Sequence, residues 1–139
     1  MTELPPSLRA LLPHGDEACF VREVLNRLPQ SILCRGSLPV GSPFAAAGRA
    51  PAFVALEFVA QVAALLGDKN SEGPTSPRAG YLVRVRELRM PRTGFHVDAD
   101  LLAEIVREGE TSSLGLFRGS VRDEEGVLIE GAFSVYVER

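Results

Sequence analysis

The stretch Pro51-Ala-Phe-Val-Ala-Leu-Glu-Phe-Val-Ala-Gln-Val-Ala-Ala-Leu-Leu-Gly67 is apolar on every side when wound as a helix. Pro51 suits a first helical position and Gly67 the residue just past the end, the usual asymmetry of helix termini. A helix without a wet face belongs in the middle of a protein. Sixteen positions span about 24 Å, short of a bilayer's hydrocarbon core, so a buried core helix is predicted and no membrane span. Its only polar side chains, Glu57 and Gln61, are four apart and share one face. Burial disfavours a charged carboxylate, which is how a Glu becomes a usable proton donor or acceptor near neutral pH. A structural Glu–Gln pair is the other reading, and the helix alone does not choose between them.

Outside the helix, Ala18–Asn26 and Ser31–Leu38 read as two short strands joined by a turn over residues 27–30. Ser7–Leu12 suits a short helical turn capped by Ser7, and Pro39–Ala50, rich in Gly, Ala, Pro and Ser, reads as a loop. Asp68–Pro77 is polar and broken by Pro and Gly, as a mobile connection would be. Strand patterns then dominate. Tyr81, Val83 and Val85 alternate with Leu82, Arg84 and Arg86; Leu101, Ala103 and Ile105 alternate with Leu102, Glu104 and Val106. Ser113–Val121 and Val127–Val137 flank a turn ending at Gly126, and Val127, Ile129, Gly131, Phe133, Val135 and Val137 are predicted on one face. The predicted class is α+β: one domain over residues 1–139, with a curved antiparallel sheet of five to six strands wrapped round one helix. The long final strands are expected to leave an edge for a dimer partner.

Composition narrows the function. Lys and Arg number 15 against 18 Asp and Glu, a net charge of −3, which argues against a nucleic-acid partner. Cys19 and Cys34 sit in apolar strand-like runs without metal-ligand spacing, so core thiols are expected rather than zinc ligands, with a disulfide as the alternative. The opening Met-Thr-Glu-Leu-Pro-Pro has neither a basic segment nor an apolar run, so the expected compartment is the cytoplasm.

Several motifs together resemble a known family. Leu12-Pro-His-Gly-Asp-Glu-Ala-Cys-Phe-Val-Arg-Glu-Val24 resembles the Leu-Pro-His-Arg-x-Pro-Phe-Leu-Leu-Val-Asp-Arg-Val opening of 3-hydroxyacyl-acyl-carrier-protein dehydratases, and Leu56-Glu-Phe-Val-Ala-Gln61 resembles their central-helix Leu-Glu-Ala-Leu-Ala-Gln. Gly48-Arg-Ala-Pro-Ala-Phe-Val-Ala-Leu-Glu57, Gly80-Tyr-Leu-Val-Arg-Val-Arg-Glu-Leu88 and Ala132-Phe-Ser-Val-Tyr136 are similar to the branch found in aryl-polyene biosynthesis. The resemblance covers nearly the whole chain. It implies a hotdog fold, no cofactor, and loss of water from a 3-hydroxyacyl thioester in fatty-acid- or polyene-type chain synthesis. In that family a His removes the proton α to the carbonyl, and a helix carboxylate on the facing subunit handles the departing hydroxyl. Glu57 matches the carboxylate, Gln61 its neighbour, and backbone N–H groups near Pro51–Phe53 fall where a thioester carbonyl would be polarised.

The family's Gly-His-Phe-Pro falls on Gly41-Ser-Pro-Phe44, so Ser42 stands where the proton-removing His is expected. A hydroxyl of ordinary pKa does not remove an α-proton, nor act as a nucleophile without an adjacent base, and Ser42 reads as a loop residue. His14 occupies the opening motif, a supporting position in the family. His96, between two strands, reads as an exposed turn residue or as one folded toward a tunnel mouth. Three functions follow: a hydratase or dehydratase using Glu57 alone or with His14; a His-less subunit whose Glu57 faces the His of a paralogous hotdog partner; or a hotdog thioesterase whose Glu57 activates water or attacks the thioester carbonyl. An acyl-binding or scaffold role is the non-enzymatic alternative. The implied substrate is an acyl thioester on acyl carrier protein or coenzyme A, and the implied assembly a homodimer or heterodimer. Phe53, Phe58, Leu82 and Val83 are the expected walls of an acyl tunnel, or plain core. Arg84, Arg86 and Arg89, with Arg92 beyond, form either a positive rim for an acidic carrier protein or the wet face of a strand.

Overall fold

The computed structural model describes residues 19–67, 80–111 and 114–137. The expected turn at Ser7–Leu12, His14 and the connection Asp68–Pro77 lie outside them. Eight strands are present among the described residues: β1 (Val21–Leu28), β2 (Ser31–Gly36), β3 (Arg49–Pro51), β4 (Gly80–Arg89), β5 (Gly94–His96), β6 (Leu101–Glu110), β7 (Leu114–Asp123) and β8 (Gly126–Val137). The described residues also contain one α-helix, α1 (Ala55–Gly67), which follows a 3₁₀ turn at Ala52–Val54. Six strands form one antiparallel sheet in the order β1-β2-β6-β7-β8-β4, while β3 and β5 make a separate two-stranded ribbon.

The sheet curls round α1, which touches all six of its strands. Every residue from Phe58 to Leu66 is buried, as a helix without a polar face requires. The core lies between this helix and the inward row Leu101, Ala103 and Ile105 of β6, Phe117 and Val121 of β7, and Ile129, Phe133 and Val135 of β8. Phe58 stacks on Phe20 with ring centroids 5.7 Å apart. Gly36 makes room for that stack: a Cβ there would lie 2.6 Å from Phe58 Cζ and 2.4 Å from the Phe20 carbonyl oxygen. This is the hotdog arrangement.

The helix starts later than its sequence suggests. Pro51 ends β3 with extended backbone (φ −63°, ψ 146°) and caps the 3₁₀ turn, so the first regular α-helical residue is Ala55. The cause is tertiary, because Pro51 pairs with Gly94 across the β3–β5 ribbon and the Ala52 N–H donates to Thr93 O at 2.9 Å. The loop before it also contains a hairpin turn. Ala46 and Arg49 exchange two backbone hydrogen bonds, and Ala47 and Gly48 both have positive φ (53° and 76°), as the tightest hairpin turns demand.

β4 departs from strict alternation. A bulge between Leu82 and Arg84 inserts Val83 as an extra residue, so Leu82 and Val85 both pack on the core while Val83 is 54% exposed. In β8 a register shift opposite Val121/Arg122 buries Leu128 beside Ile129, and Val127 is only half-buried. The edge expected on the final strands is elsewhere: β8 lies between β7 and β4, and the sheet ends at β1 and β4. The chain crosses from the helix to run β4 along the outer side of its own last strand. Both cysteines are buried and neither is in a disulfide, as their apolar settings suggested.

Candidate functional site

Glu57 sits in the first turn of α1, half-buried, where the helix reaches the protein surface. One turn further in, Gln61 is 2% exposed. Its orientation is fixed by its partners: the Phe20 N–H donates to Gln61 Oε1 at 2.8 Å, so the amide nitrogen faces Glu57 and donates to its Oε1 at 3.3 Å. A buried backbone donor thus finds its acceptor in the helix, and the same side chain steadies the carboxylate. The i, i+4 pairing was legible from spacing. Phe20 was not, because its bond to Gln61 spans 41 residues and carries no sequence signal.

The start of the helix offers fewer backbone donors than the sequence suggested. Pro51 has none, and the Ala52 N–H is already taken by Thr93 O. Of the three positions, a thioester hook would fall to Phe53. Its ring is 51% exposed and meets Phe44 edge-on at 6.2 Å, so the two aromatics stand together at the mouth of the helix.

Ser42 is half-buried in the turn before that mouth. Its N–H donates to Pro39 O at 3.1 Å, its carbonyl accepts from the Ala45 N–H at 3.2 Å, and its hydroxyl accepts from the Phe44 N–H at 3.3 Å. The hydroxyl serves the turn. Beside it, a groove of about 290 Å³ runs between the Leu38–Gly41 segment, the hairpin turn at Ala47–Gly48, and Val97 with Asp98.

The other expected site residues do not converge. Phe58 is fully buried in its stack with Phe20, Leu82 packs on the core from β4, and Phe53 and Val83 are exposed, so these four form no single wall. His96, the one histidine among the described residues, ends β5 opposite Arg49 and is exposed; a short strand stands where a turn was expected. Arg84 and Arg86 are exposed, but Arg89 pairs with Glu130, and Arg92 is held by Asp123 and Glu125. Of these four arginines, Arg84 and Arg86 are the two without an ion pair among the described residues. No helix among the described residues is long and apolar enough to cross a membrane.

Among the described residues one helix is wrapped by a curved six-stranded sheet, with Glu57 half-buried in its first turn, and this defines a hotdog protein. The chain matches the family model for ApeP-like proteins, described as ApeP dehydratase, over residues 6–139, and it belongs to that family. Among solved structures it is similar to the dehydratase heterocomplex ApeI:P from Xenorhabdus doucetiae, with a TM-score of 0.81 at 20% identity over 98% of this chain and 93% of that one. It is also similar to a hypothetical thioesterase with coenzyme A from Streptococcus pneumoniae (TM-score 0.61, 12% identity, 84% of each chain). A third is the phenylacetic acid degradation protein PaaI from Thermus thermophilus (TM-score 0.58, 16% identity, 82% of this chain and 90% of that one). At these identities the structural likeness speaks to the fold. No curated protein matches the chain.

Proposed function

We propose that this chain is the carboxylate-bearing subunit of a 3-hydroxyacyl-thioester dehydratase, and that a His-bearing hotdog subunit completes its site. The observation that carries this reading is the Phe20–Gln61–Glu57 relay, which holds one carboxylate in the first turn of the helix; the family resemblance adds that Ser42 stands where a proton-removing His is expected. Membership of a dehydratase family supports it, as does the likeness to a dehydratase that is itself a heterocomplex.

The chemistry divides between the two subunits. The partner's imidazole takes a proton from the carbon α to the thioester carbonyl, which the Phe53 N–H at the helix start polarises. The C3–O bond breaks, the carbon–carbon double bond forms, and Glu57 in its acid form delivers a proton to the departing hydroxyl, which leaves as water. Return of the imidazolium proton to Glu57 resets the site. No electrons change hands overall, so no redox cofactor is required. Arg84 and Arg86 on β4 are the residues proposed to meet an acidic acyl carrier protein.

The test is dehydration of a 3-hydroxyacyl carrier protein by the chain alone, by the chain with a His-bearing hotdog subunit, and by the same pair carrying Glu57→Gln. Turnover only in the pair, lost with Glu57→Gln, supports the proposal. Robust turnover by the chain alone overturns the division of labour, and release of free acid overturns the dehydratase reading in favour of thioester hydrolysis.

A further inference from the structure

We propose that Arg92 is a positioning residue for Glu57: it ties the ribbon on which the first turn of α1 hangs to the β7–β8 turn. The inference rests on the reading of Glu57 as the proton donor. The β3–β5 ribbon is not hydrogen-bonded into the six-stranded sheet, yet α1 begins from it. Pro51 pairs with Gly94, and the Ala52 N–H donates to the carbonyl of Thr93, the residue after Arg92. The contact is tight, since a Cβ on Gly94 would lie 2.5 Å from Ala50 O. Wherever residues 92–94 go, the start of the helix follows, and Glu57 lies only five residues beyond Ala52.

On one side the ribbon is held by apolar burial, Ala50 of β3 and Phe95 of β5 both lying in the core. On the other side, Arg92 grips Asp123 with both ends of its fork, Nη1 to Oδ1 at 2.5 Å and Nη2 to Oδ2 at 2.9 Å, and also donates to Glu125 Oε2 at 2.9 Å. It reaches Gly126 O at 3.3 Å and, within its own ribbon, Gly94 O at 3.5 Å. Asp123 is fixed in turn by the Glu125 N–H at 2.8 Å, and its side chain is only 6% exposed. An exposed ion pair between flexible chains orders little, but a two-pronged grip on a buried carboxylate fixes direction as well as distance. The Arg92 guanidinium holds the Asp123 carboxyl below its ordinary range, so the grip is closed at neutral pH.

The test is amide hydrogen exchange on the purified chain, comparing wild type with Arg92→Met and Arg92→Lys. The expected result for Arg92→Met is exchange about tenfold faster over residues 52–57, with residues 62–66 unchanged and Arg92→Lys intermediate. In the assembly that dehydrates a 3-hydroxyacyl thioester, Arg92→Met lowers kcat about tenfold at constant KM, because a small misplacement of the acid harms the chemistry more than binding. If Arg92→Met does not fold, Asp123→Asn loosens the same grip and is expected to give the same pattern. Unchanged exchange over residues 52–57, an equal rise over residues 62–66, or an unaltered kcat overturns the proposal. Loss of turnover in Glu57→Gln is a separate result: if it does not occur, the catalytic reading of Glu57 fails, while the exchange pattern still decides whether Arg92 fixes the start of the helix.

Discussion

Gln61 and Glu57 are joined across one helical turn, the Gln61 amide nitrogen donating to Glu57 Oε1 at 3.3 Å while the Gln61 carbonyl accepts the Phe20 N–H. The amide is thus a coupler between the chain entering β1 and the carboxylate, and it works only in one orientation.

Gln61→Leu keeps the volume and removes both bonds. It leaves the buried Phe20 N–H without its acceptor, a loss of about 1–3 kcal/mol. A urea titration is expected to show a lowered midpoint at an unchanged slope, and the proposed two-subunit dehydratase to lose kcat. Gln61→Glu restores an acceptor for Phe20 but sets a second carboxylate beside Glu57. It is expected to recover part of the stability without recovering the activity.

That coupling shows what the sequence discloses and what it withholds. An all-apolar helix with Glu57 and Gln61 on one face is visible in the letters because periodicity is local. The inward row of β6 is visible for the same reason. The start of α1, the β3–β5 ribbon and the exposure of Val83 are not. Three-residue strands are too short to show a period, and a single bulge reverses the parity of everything after it. Pro51 resembled a first helical residue because its φ fits both a helix and an extended strand; pairing with Gly94 decided between them. The expected rim lost Arg89 and Arg92 to Glu130 and Asp123, partners 41 and 31 residues away that no spacing rule identifies.

Burial pushes the Cys34 thiol from its ordinary value of 9.0 up to about 12, with the charge of Arg27 opposing weakly. Below about pH 9 both folded and unfolded chains hold this proton, and the thiol contributes its full share of stability. Between about pH 9 and about pH 12 the unfolded chain releases the proton and the folded one does not. Stability therefore falls as pH rises, by up to about 1.4 kcal/mol per unit from this group. Urea titrations of wild type against Cys34→Ala across that range are expected to differ in this slope, the variant being flatter. Neither Cys19 nor Cys34 is expected to react with a thiol reagent at neutral pH until the protein is unfolded.

Arg107 closes the far end of the helix. It lies on the inward face of β6, donates from Nη2 to the Leu66 carbonyl, and rests over the Phe117 ring at 6.0 Å from its centre. A cation against the last carbonyls complements the helix dipole and satisfies a terminal acceptor. Arg107→Met keeps the apolar stem and removes the donor, so a loss of about 1–3 kcal/mol is expected in chemical denaturation. Arg107→Glu places a carboxylate against the negative end of the dipole and is expected to be the worse of the two. Loss of stability in the reverse order would show that the stem, rather than the charge, does the holding.

Ser42 offers the sharpest test of the proposal that this chain works with a His-bearing partner. Among the described residues its hydroxyl accepts one turn bond, from the Phe44 N–H, so replacing it is expected to cost the fold little. If Glu57 is the acid, the base alone is missing, and each Glu57 of a homodimer faces the loop of the other copy, supplying a base at position 42 should restore chemistry. Ser42→His is therefore expected to give the chain alone a measurable dehydratase activity, abolished again by adding Glu57→Gln, while Ser42→Ala stays silent. A well-placed base is worth about 10²–10⁴ in rate, and an unoptimised one is expected to recover the lower part of that range. The assay is appearance of the enoyl thioester from a 3-hydroxyacyl carrier protein. A folded, dimeric Ser42→His chain that remains silent would mean that the partner contributes more than a histidine, namely the shape of the tunnel that brings substrate to Glu57.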